Sequence, residues 1–515
     1  MTLKEALKVA RRLGPTASGR RLVLVVSLRM ANGKAVDRLF QTSGTAGGAA
    51  PSAGQVRSAI AELRRAGFRV DWHAGDPLAS LDGSVALAER FFHVRLSDYQ
   101  LASGRRFFAP DRDATIPRSL RRAVSAVGGL DNFAQKNIAA IPRGGVSPAD
   151  VLSFYNIDPL RKAGLDGSGE TVVFPELSSP GDVPQLRKDL AAYAAKYHLP
   201  PFDLSTRSDP SWQPLPKGDP FGSSALGETA LDLEIVHSIA PKAKLIIYEM
   251  GRNLAVGTKA ELAMVKENPK AVISDSTGFC EAIIPNLATL KILQAPWVAQ
   301  AQRNMTHYVA SGDSGAYDCD EDHPPSVDFS SSVPVNTSVG GTSVFLAANG
   351  GYFKEVAWGN ALSESGTGGG ISGWYLRPSY QKGKGIPAPS GKLNRRLVPD
   401  VAGLADSNTG WFIEVGGQAH QIGGTSAAAP LWSGMTALIN QDLVKNGLRR
   451  VGFANPALYA ISAQQARFHA FHDVTVGNNL LYRATAGWDA ATGLGSPDAA
   501  ALDAAWKTYI KAGGK

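Results

Sequence analysis

From about residue 149 the chain alternates between short apolar runs and longer stretches whose apolar residues recur every three or four positions. The runs at 170–177, 243–249, 270–275 and 307–311 predict strands, and the stretches at about 181–198, 224–240, 257–267 and 284–303 predict helices. Such alternation predicts an α/β fold, a parallel sheet with helices on both faces. The earlier part reads differently. Residues 20–29 are strand-like, and residues 53–67 predict an amphipathic helix with Val56, Ile60 and Leu63 on one face and Gly67 at its end. An extended stretch follows at Phe68–Trp72, then a helix around 84–92, then a helix ending near Gly128-Gly129-Leu130-Asp131. Residues 43–52 read as a flexible low-complexity loop, and 133–148, with Pro142, Gly144, Gly145 and Pro148, as a linker. The expected organisation is a small α+β domain over 1–132, a linker over 133–148 and a large α/β domain over 149–515.

Composition adds bounds. With 515 residues, 44% apolar and 19% charged, the chain suits a soluble protein of more than one domain. No stretch is long and apolar enough to span a membrane. The first residues, Met1 to Lys8, lack a signal-peptide core, and Leu22–Leu28 reads better as a strand than as an export signal. Cys280 and Cys319 are too few for a disulfide scaffold; a pair and two free thiols both stay open. Residues 1–140 carry 22 Lys and Arg against 11 Asp and Glu, the remainder 31 against 34. That basic excess comes with no nucleic-acid-binding motif, so nucleic acid is not the expected partner. The expectation is that the basic domain lies against a carboxylate-rich face of the large one, and that acid weakens the attraction by protonating those carboxylates.

Three short segments carry chemistry. In Gly423-Gly424-Thr425-Ser426 a glycine turn becomes a helix. A serine there is either an N-cap or a nucleophile set beside unpaired N–H groups at the positive end of a helix. In 227–240, Leu231, Ile235 and Ile239 recur at helical spacing, and Glu228 and Asp232, four apart, share one face. Glu234 is expected to point elsewhere, into solvent. In Ser311-Gly312-Asp313-Ser314-Gly315 an apolar strand ends in a glycine turn with Asp313 at its carboxyl end, where open α/β sheets place their reactions. None of the nine histidines is followed by Gly-Thr, as the base of a subtilisin would be.

Gly227-Glu228-x-x-Leu231-Asp232, then Ser311-Gly312-Asp313-Ser314-Gly315, then Gly424-Thr425-Ser426-x-x-x-Pro430, in this order, resemble the sedolisin family of serine-carboxyl peptidases and its kumamolisin-like members. The resemblance implies Ser426 as nucleophile, Glu228 as general base and acid, Asp232 as the group orienting Glu228, and Asp313 as oxyanion donor. It implies a subtilisin-like fold, an N-terminal propeptide that inhibits its own enzyme, protein or peptide substrates, a monomer, and action outside the cytoplasm. A glutamate base and a protonated Asp313 both imply acid activity, where an imidazole would be charged and useless. Glu176 matches a glutamate that extends the acid chain. Ser276-Thr277-Gly278 stands where the family has Ser-Trp-Gly, so the tryptophan that closes the network is missing, and Thr277 is expected to admit water. Gly368-Gly369-Gly370 resembles a glycine segment of the family, beside the plain reading of a flexible loop.

Two acidic stretches remain. Asp318 to His323 reads as a solvated loop rather than a metal site. Residues 471–495 resemble the family's calcium site and imply one Ca²⁺ held by the side chains of Asp473 and Asp489 and the carbonyls of Val474, Thr485 and Gly487. The rivals are a subtilisin using His237 or His420 as base, and a catalytically silent binding protein of the same shape.

Overall fold

In the computed structural model, residues 3–29, 53–72, 74–102, 106–133, 145–284, 286–319, 324–360 and 363–514 are described. The expected loop at 43–52 and most of the linker lie outside them.

The predicted strands and helices of the large domain form where the pattern places them, and are labelled here in chain order. They are β1 (Thr171–Glu176), α1 (Val183–Lys196), β2 (Asp203–Ser208), α2 (Pro220–Ile239), β3 (Lys244–Glu249), α3 (Leu254–Glu267) and β4 (Val272–Asp275). Then come α4 (Leu287–Gln302), β5 (Thr306–Ala310), β6 (Thr337–Leu346), β7 (Tyr352–Ala357), β8 (Val401–Leu404) and α5 (Thr425–Lys445). The sheet runs β7-β6-β5-β4-β1-β3-β2, with β8 also paired to β6. All its pairings are parallel except β6 with β7. β2 was not visible in the pattern. Its sequence, Asp-Leu-Ser-Thr-Arg-Ser, buries only Leu204, because an edge strand packs on one side only.

One face of the sheet is covered by α2 and α5, and Val172, Phe174, Leu231, Ile235, Ala428 and Leu431 lie in that core. The two helices approach closely at Gly434, where a Cβ would stand 3.1 Å from the Cβ of Ile239. α3 and α4 cover the other face.

The N-terminal residues build their own core from a four-stranded antiparallel sheet in the order Arg69–Asp71, Leu78–Ser84, Arg21–Leu28, Val124–Gly128. The helices Ala53–Arg65 and Val85–Phe92 pack on it through Val56, Ile60, Leu63, Val85 and Phe92. The helix expected before Gly129 is the strand Val124–Gly128 instead. Its burial alternates with period two, and pairing to Arg21–Leu28 decides the matter.

This sheet docks on α3 and α4: Val25, Leu78 and Ala126 share one apolar cluster with Val256, Leu262, Ile292 and Ala295. The docking charges run opposite to expectation. Lys259 Nζ lies 2.6 Å from Asp71, and Lys266 pairs with Asp76, so the carboxylates are on the N-terminal domain and the cations on α3. Several of the arginines behind the basic excess are spent inside the small domain, as in Arg21–Asp82 and Arg20–Asp98.

Candidate active site

The carboxyl ends of the parallel strands converge on the start of α5. β1 ends at Glu176, β4 ends at Asp275, and β5 runs into Ser311-Gly312-Asp313. α2 brings Glu228 and Asp232 one turn apart. The helix α5 starts at Thr425 with Gly424 as its N-cap, so Ser426 is the second helical residue and not a cap. Three distant segments are thereby brought together at Ser426.

Glu228 and Asp232 are both buried, and the Glu228 carboxyl is within hydrogen-bonding reach of Ser426. Burial pushes the Glu228 pKa up to about 8; the Ser426 hydroxyl pulls it down and Asp313 adds to the rise. Asp232 lies well above the usual carboxylate range, first through burial, then through the charges of Glu176 and Glu228. The Ser276 hydroxyl donates to Asp232 Oδ1 at 2.8 Å. Glu176 continues the chain as the resemblance implied. It neighbours Asp232 and accepts from the Thr229 hydroxyl at 2.9 Å. Glu176 Oε1, Glu228 Oε1 and Asp232 Oδ2 are buried with no hydroxyl or N–H partner among the described residues. Buried acids so placed must hold protons among themselves.

Asp313 flanks Ser426 on the other side. Its Oδ1 accepts from the Thr425 N–H at 2.7 Å and the Thr425 hydroxyl at 2.9 Å. Oδ2 is left to act as a donor when the group is protonated. Burial raises its pKa, against the downward pull of the two Thr425 bonds.

The cleft beside Ser426 has a volume of about 240 Å³, and Ser276, Gly278, Asp313, Asp318 and Asp328 are among its walls. Three glycines make room for three of these carboxylates. A Cβ on Gly424 would stand 2.7 Å from Asp313 Oδ2, on Gly312 2.4 Å from Asp318 Oδ1, and on Gly278 2.3 Å from Asp328 Oδ2. Asp318 is therefore a wall of the cleft and not part of a solvated loop. Its pKa is pushed up to about 7 by burial, then by Asp313 and Glu281. Residues 320–323 lie outside the described ones. The next residue, Cys319, is disulfide-bonded to Cys280 with Cα atoms 5.0 Å apart, which ties the Asp313 loop to the segment after β4. Gly368 is packed rather than flexible: its N–H donates to the Gly312 carbonyl at 2.7 Å, and a Cβ would meet the Ser311 carbonyl at 1.8 Å.

No histidine lines this cleft among the described residues. His237 is buried with Nε2 2.7 Å from the Pro200 carbonyl, stacks on Phe202, and has its pKa pushed down to about 4 by burial. His420 sits on a two-stranded hairpin, in Gln418–Ile422. Glu234 also departs from expectation. It is fully buried and accepts the Glu414 N–H at 3.0 Å, because the hairpin Trp411–Ile422 covers that side of α2.

The residue families bear on this geometry. Residues 41–133 match the Pro-kumamolisin activation domain, and residues 221–451 match the subtilase family. The chain is 32% identical to kumamolisin of Bacillus sp. (strain MN-32) over 82% of this chain and 78% of that protein. It is 31% identical to sedolisin of Pseudomonas sp. (strain 101) over 97% of this chain and 88% of that one. The chain belongs to the sedolisin family of serine-carboxyl peptidases. The solved structure of Pseudomonas sedolisin, a serine-carboxyl proteinase complexed with two molecules of pseudo-iodotyrostatin, superposes with a TM-score of 0.61 at 29% identity, covering 73% of this chain and all of that one. A sedolisin-family chain with an activation domain is a peptidase made as a zymogen.

Several residues at the site were not found from the sequence. Thr229 and Ser276 supply hydroxyls to the acid chain, and Asp275 accepts the N–H and hydroxyl of Thr277 at 2.9 and 2.7 Å. Thr277, where the family has tryptophan, is thus buried and turned to Asp275. The signal that could have found Asp275 is an acid closing an otherwise apolar strand.

Four of the residues expected to hold calcium meet in pairs. Gly487 N–H donates to both Asp473 oxygens at 3.1 and 3.0 Å, and Thr485 N–H to Asp489 Oδ2 at 2.9 Å. Two carboxylates thus grip one turn. Among the described residues no group of three or more His, Cys, Asp or Glu is placed to hold a metal ion, so a cation here would draw on main-chain carbonyls. Thr485 has no positive φ, so its carbonyl is free of backbone strain in that role.

Proposed function

We propose that this peptidase is an acid-acting endopeptidase in which Ser426 is the nucleophile, Glu228 its base, Asp232 and Glu176 the proton-holding chain, and Asp313 the oxyanion donor. The observation that carries the reading is the buried Glu228 carboxyl at Ser426 in a cleft with no histidine. Ser426 Oγ attacks the scissile carbonyl carbon while its proton passes to Glu228. Asp313 Oδ2–H donates to the carbonyl oxygen as it becomes negative. Glu228 then returns the proton to the leaving amine, which breaks the C–N bond and leaves the acyl-enzyme. Water repeats the sequence and frees the acid product. Asp313 is a donor only while protonated and Glu228 a base only while ionised, so the reaction proceeds from the form in which Asp313, Asp232 and Glu176 hold the protons and Glu228 does not.

Residues 1–132 are read as the inhibiting propeptide and 133–148 as the segment in which processing falls. Protein or peptide chains are the substrates, and the active form is read as a monomer. The disulfide Cys280–Cys319 supports action outside the reducing cytoplasm. Asp473 and Asp489, with the carbonyls of Val474, Thr485 and Gly487, offer the hard oxygens that suit Ca²⁺. The ion would be structural, pinning the C-terminal segment.

The test is incubation at acid pH of the purified chain beside Ser426→Ala and Glu228→Gln, with N-terminal sequencing of the products. Processing by the unaltered chain alone is expected. Processing by Glu228→Gln would refute the base assignment.

A further inference from the structure

Three buried side chains form a line behind the acid chain, on strands and a helix that carry no assigned role. The His307 ring on β5 places Nδ1 2.9 Å from Gln300 Oε1 and Nε2 3.5 Å from Asp275 Oδ2. Exposure is 4% for His307, 2% for Asp275 and 1% for Gln300. The amide of Gln300 is oriented by its other end, since Nε2 donates to the Val335 carbonyl at 3.2 Å and to Asn336 Oδ1 at 3.1 Å. Oε1 is then an acceptor only, and His307 Nδ1 must carry a proton. A neutral imidazole so fixed would aim the Nε2 lone pair at a carboxylate oxygen. Two lone pairs face each other in a buried space, an arrangement that costs free energy unless a proton lies between them.

We propose that Asp275 and His307 share one proton as a buried, overall neutral pair, and that this pair is a positioning element for the peptidase reaction. Whether the proton resides on nitrogen or oxygen, the pair's net charge is zero. That matters because Asp275 is surrounded by acids. Glu176 faces it from β1, Asp232 from α2 and Asp328 from the segment before the short helix Phe329–Ser332; His307 on β5 is the cationic partner. Glu228 lies one step further along the same acid chain. An uncompensated charge on Asp275 would make Glu176 and Asp232 hold their protons more tightly. Asp275 also grips Thr277 by N–H and hydroxyl, and the adjoining Ser276 donates to Asp232 and approaches the Ser426 carbonyl at 3.2 Å. The pair so holds the strand end from which Ser276 reaches both Asp232 and Ser426.

The inference rests on Glu228 as the base. Its test compares kcat/KM against pH for the processed enzyme, His307→Gln, Asp275→Asn and the double variant. His307→Gln leaves the Asp275 charge uncompensated, so the acid limb of its profile is expected to move up by about one pH unit, with KM within about twofold. Asp275→Asn and the double variant remove the charge itself, and their acid limbs are expected to coincide with that of the unaltered enzyme. A His307→Gln profile parallel to the original, or a double variant that keeps the single variant's shift, would overturn the proposal. Imidazole ¹⁵N spectra of the Ser426→Ala chain give a reading independent of activity and of any folding defect in the variants. Nε2 of His307 is expected to be protonated or shifted by a shared proton, and a protonated Nδ1 beside an Nε2 with the shift of a free lone pair refutes the pair. If Glu228→Gln stays active, the base assignment fails, while the nitrogen spectrum still decides whether a proton is shared.

Discussion

Asp313 occupies the space that a side chain on residue 424 would need: its Oδ2 lies 2.7 Å from where a Cβ on Gly424 would stand. Gly424 also has φ +107°, a conformation that side-chain-bearing residues rarely adopt. Gly424→Ala should therefore displace the Asp313 carboxyl and strain the start of α5 at once. The expected result is a fall in kcat of about 10²–10³, the usual cost of losing one oxyanion donor. Kinetics on a peptide substrate would check it, and a variant with unchanged kcat would show that Asp313 does not act at that position.

Acid should stabilise this fold rather than unfold it. Burial is the first cause that pushes Glu228 up to about 8, and Glu281 and Glu355 to about 7. Folded pKa values above the unfolded ones mean the native state binds more protons between about pH 4 and 8. Stability is then greatest near the bottom of that window and falls as pH rises until each group has passed its folded pKa. Below it, carboxylates held low, such as Asp111 beside Arg112 and Asp166 with Ser168 and Lys242, reverse the slope. Thermal melts of the Ser426→Ala chain should give a higher Tm at pH 4–5 than at pH 8.

The N-terminal domain shares an apolar cluster with α3 and α4, and Gly128 lies close against both helices. A Cβ there would stand 2.7 Å from Ile292 Cδ1 and 2.8 Å from the Ala255 Cβ. Gly128→Leu should overpack the interface, at about 1–3 kcal/mol, and loosen the propeptide from α3 and α4. Faster processing at acid pH is the expected readout. Lys259→Ala should do less, since its partner Asp71 is 54% exposed and such pairs are worth about 0–1 kcal/mol.

Removing calcium should act on stability before chemistry. A chelator, or Asp473→Asn, is expected to lower the Tm of the processed enzyme and to expose the C-terminal segment to proteolysis. Return of the Tm on adding Ca²⁺ to the unaltered enzyme, and not to Asp473→Asn, would locate the ion. An unchanged Tm in excess chelator would count against the site.

The sequence by itself determined the alternation of strands and helices, because hydrophobic period is a local property and each buried element carries its own. It determined the Gly424-Thr425-Ser426 turn, the Glu228–Asp232 pair and the Asp313 turn as well, since each lies within a few consecutive residues. Tertiary structure alone decided the rest. Val124–Gly128 became a strand because a partner strand was available, and Glu234 was buried because the Trp411–Ile422 hairpin closed over it. Asp275 meets His307, and Cys280 meets Cys319, only when the parallel strands β4 and β5 lie side by side. The charge of the small domain misled for the same reason. A net excess describes the whole surface, whereas docking depends on the few side chains that face α3 and α4.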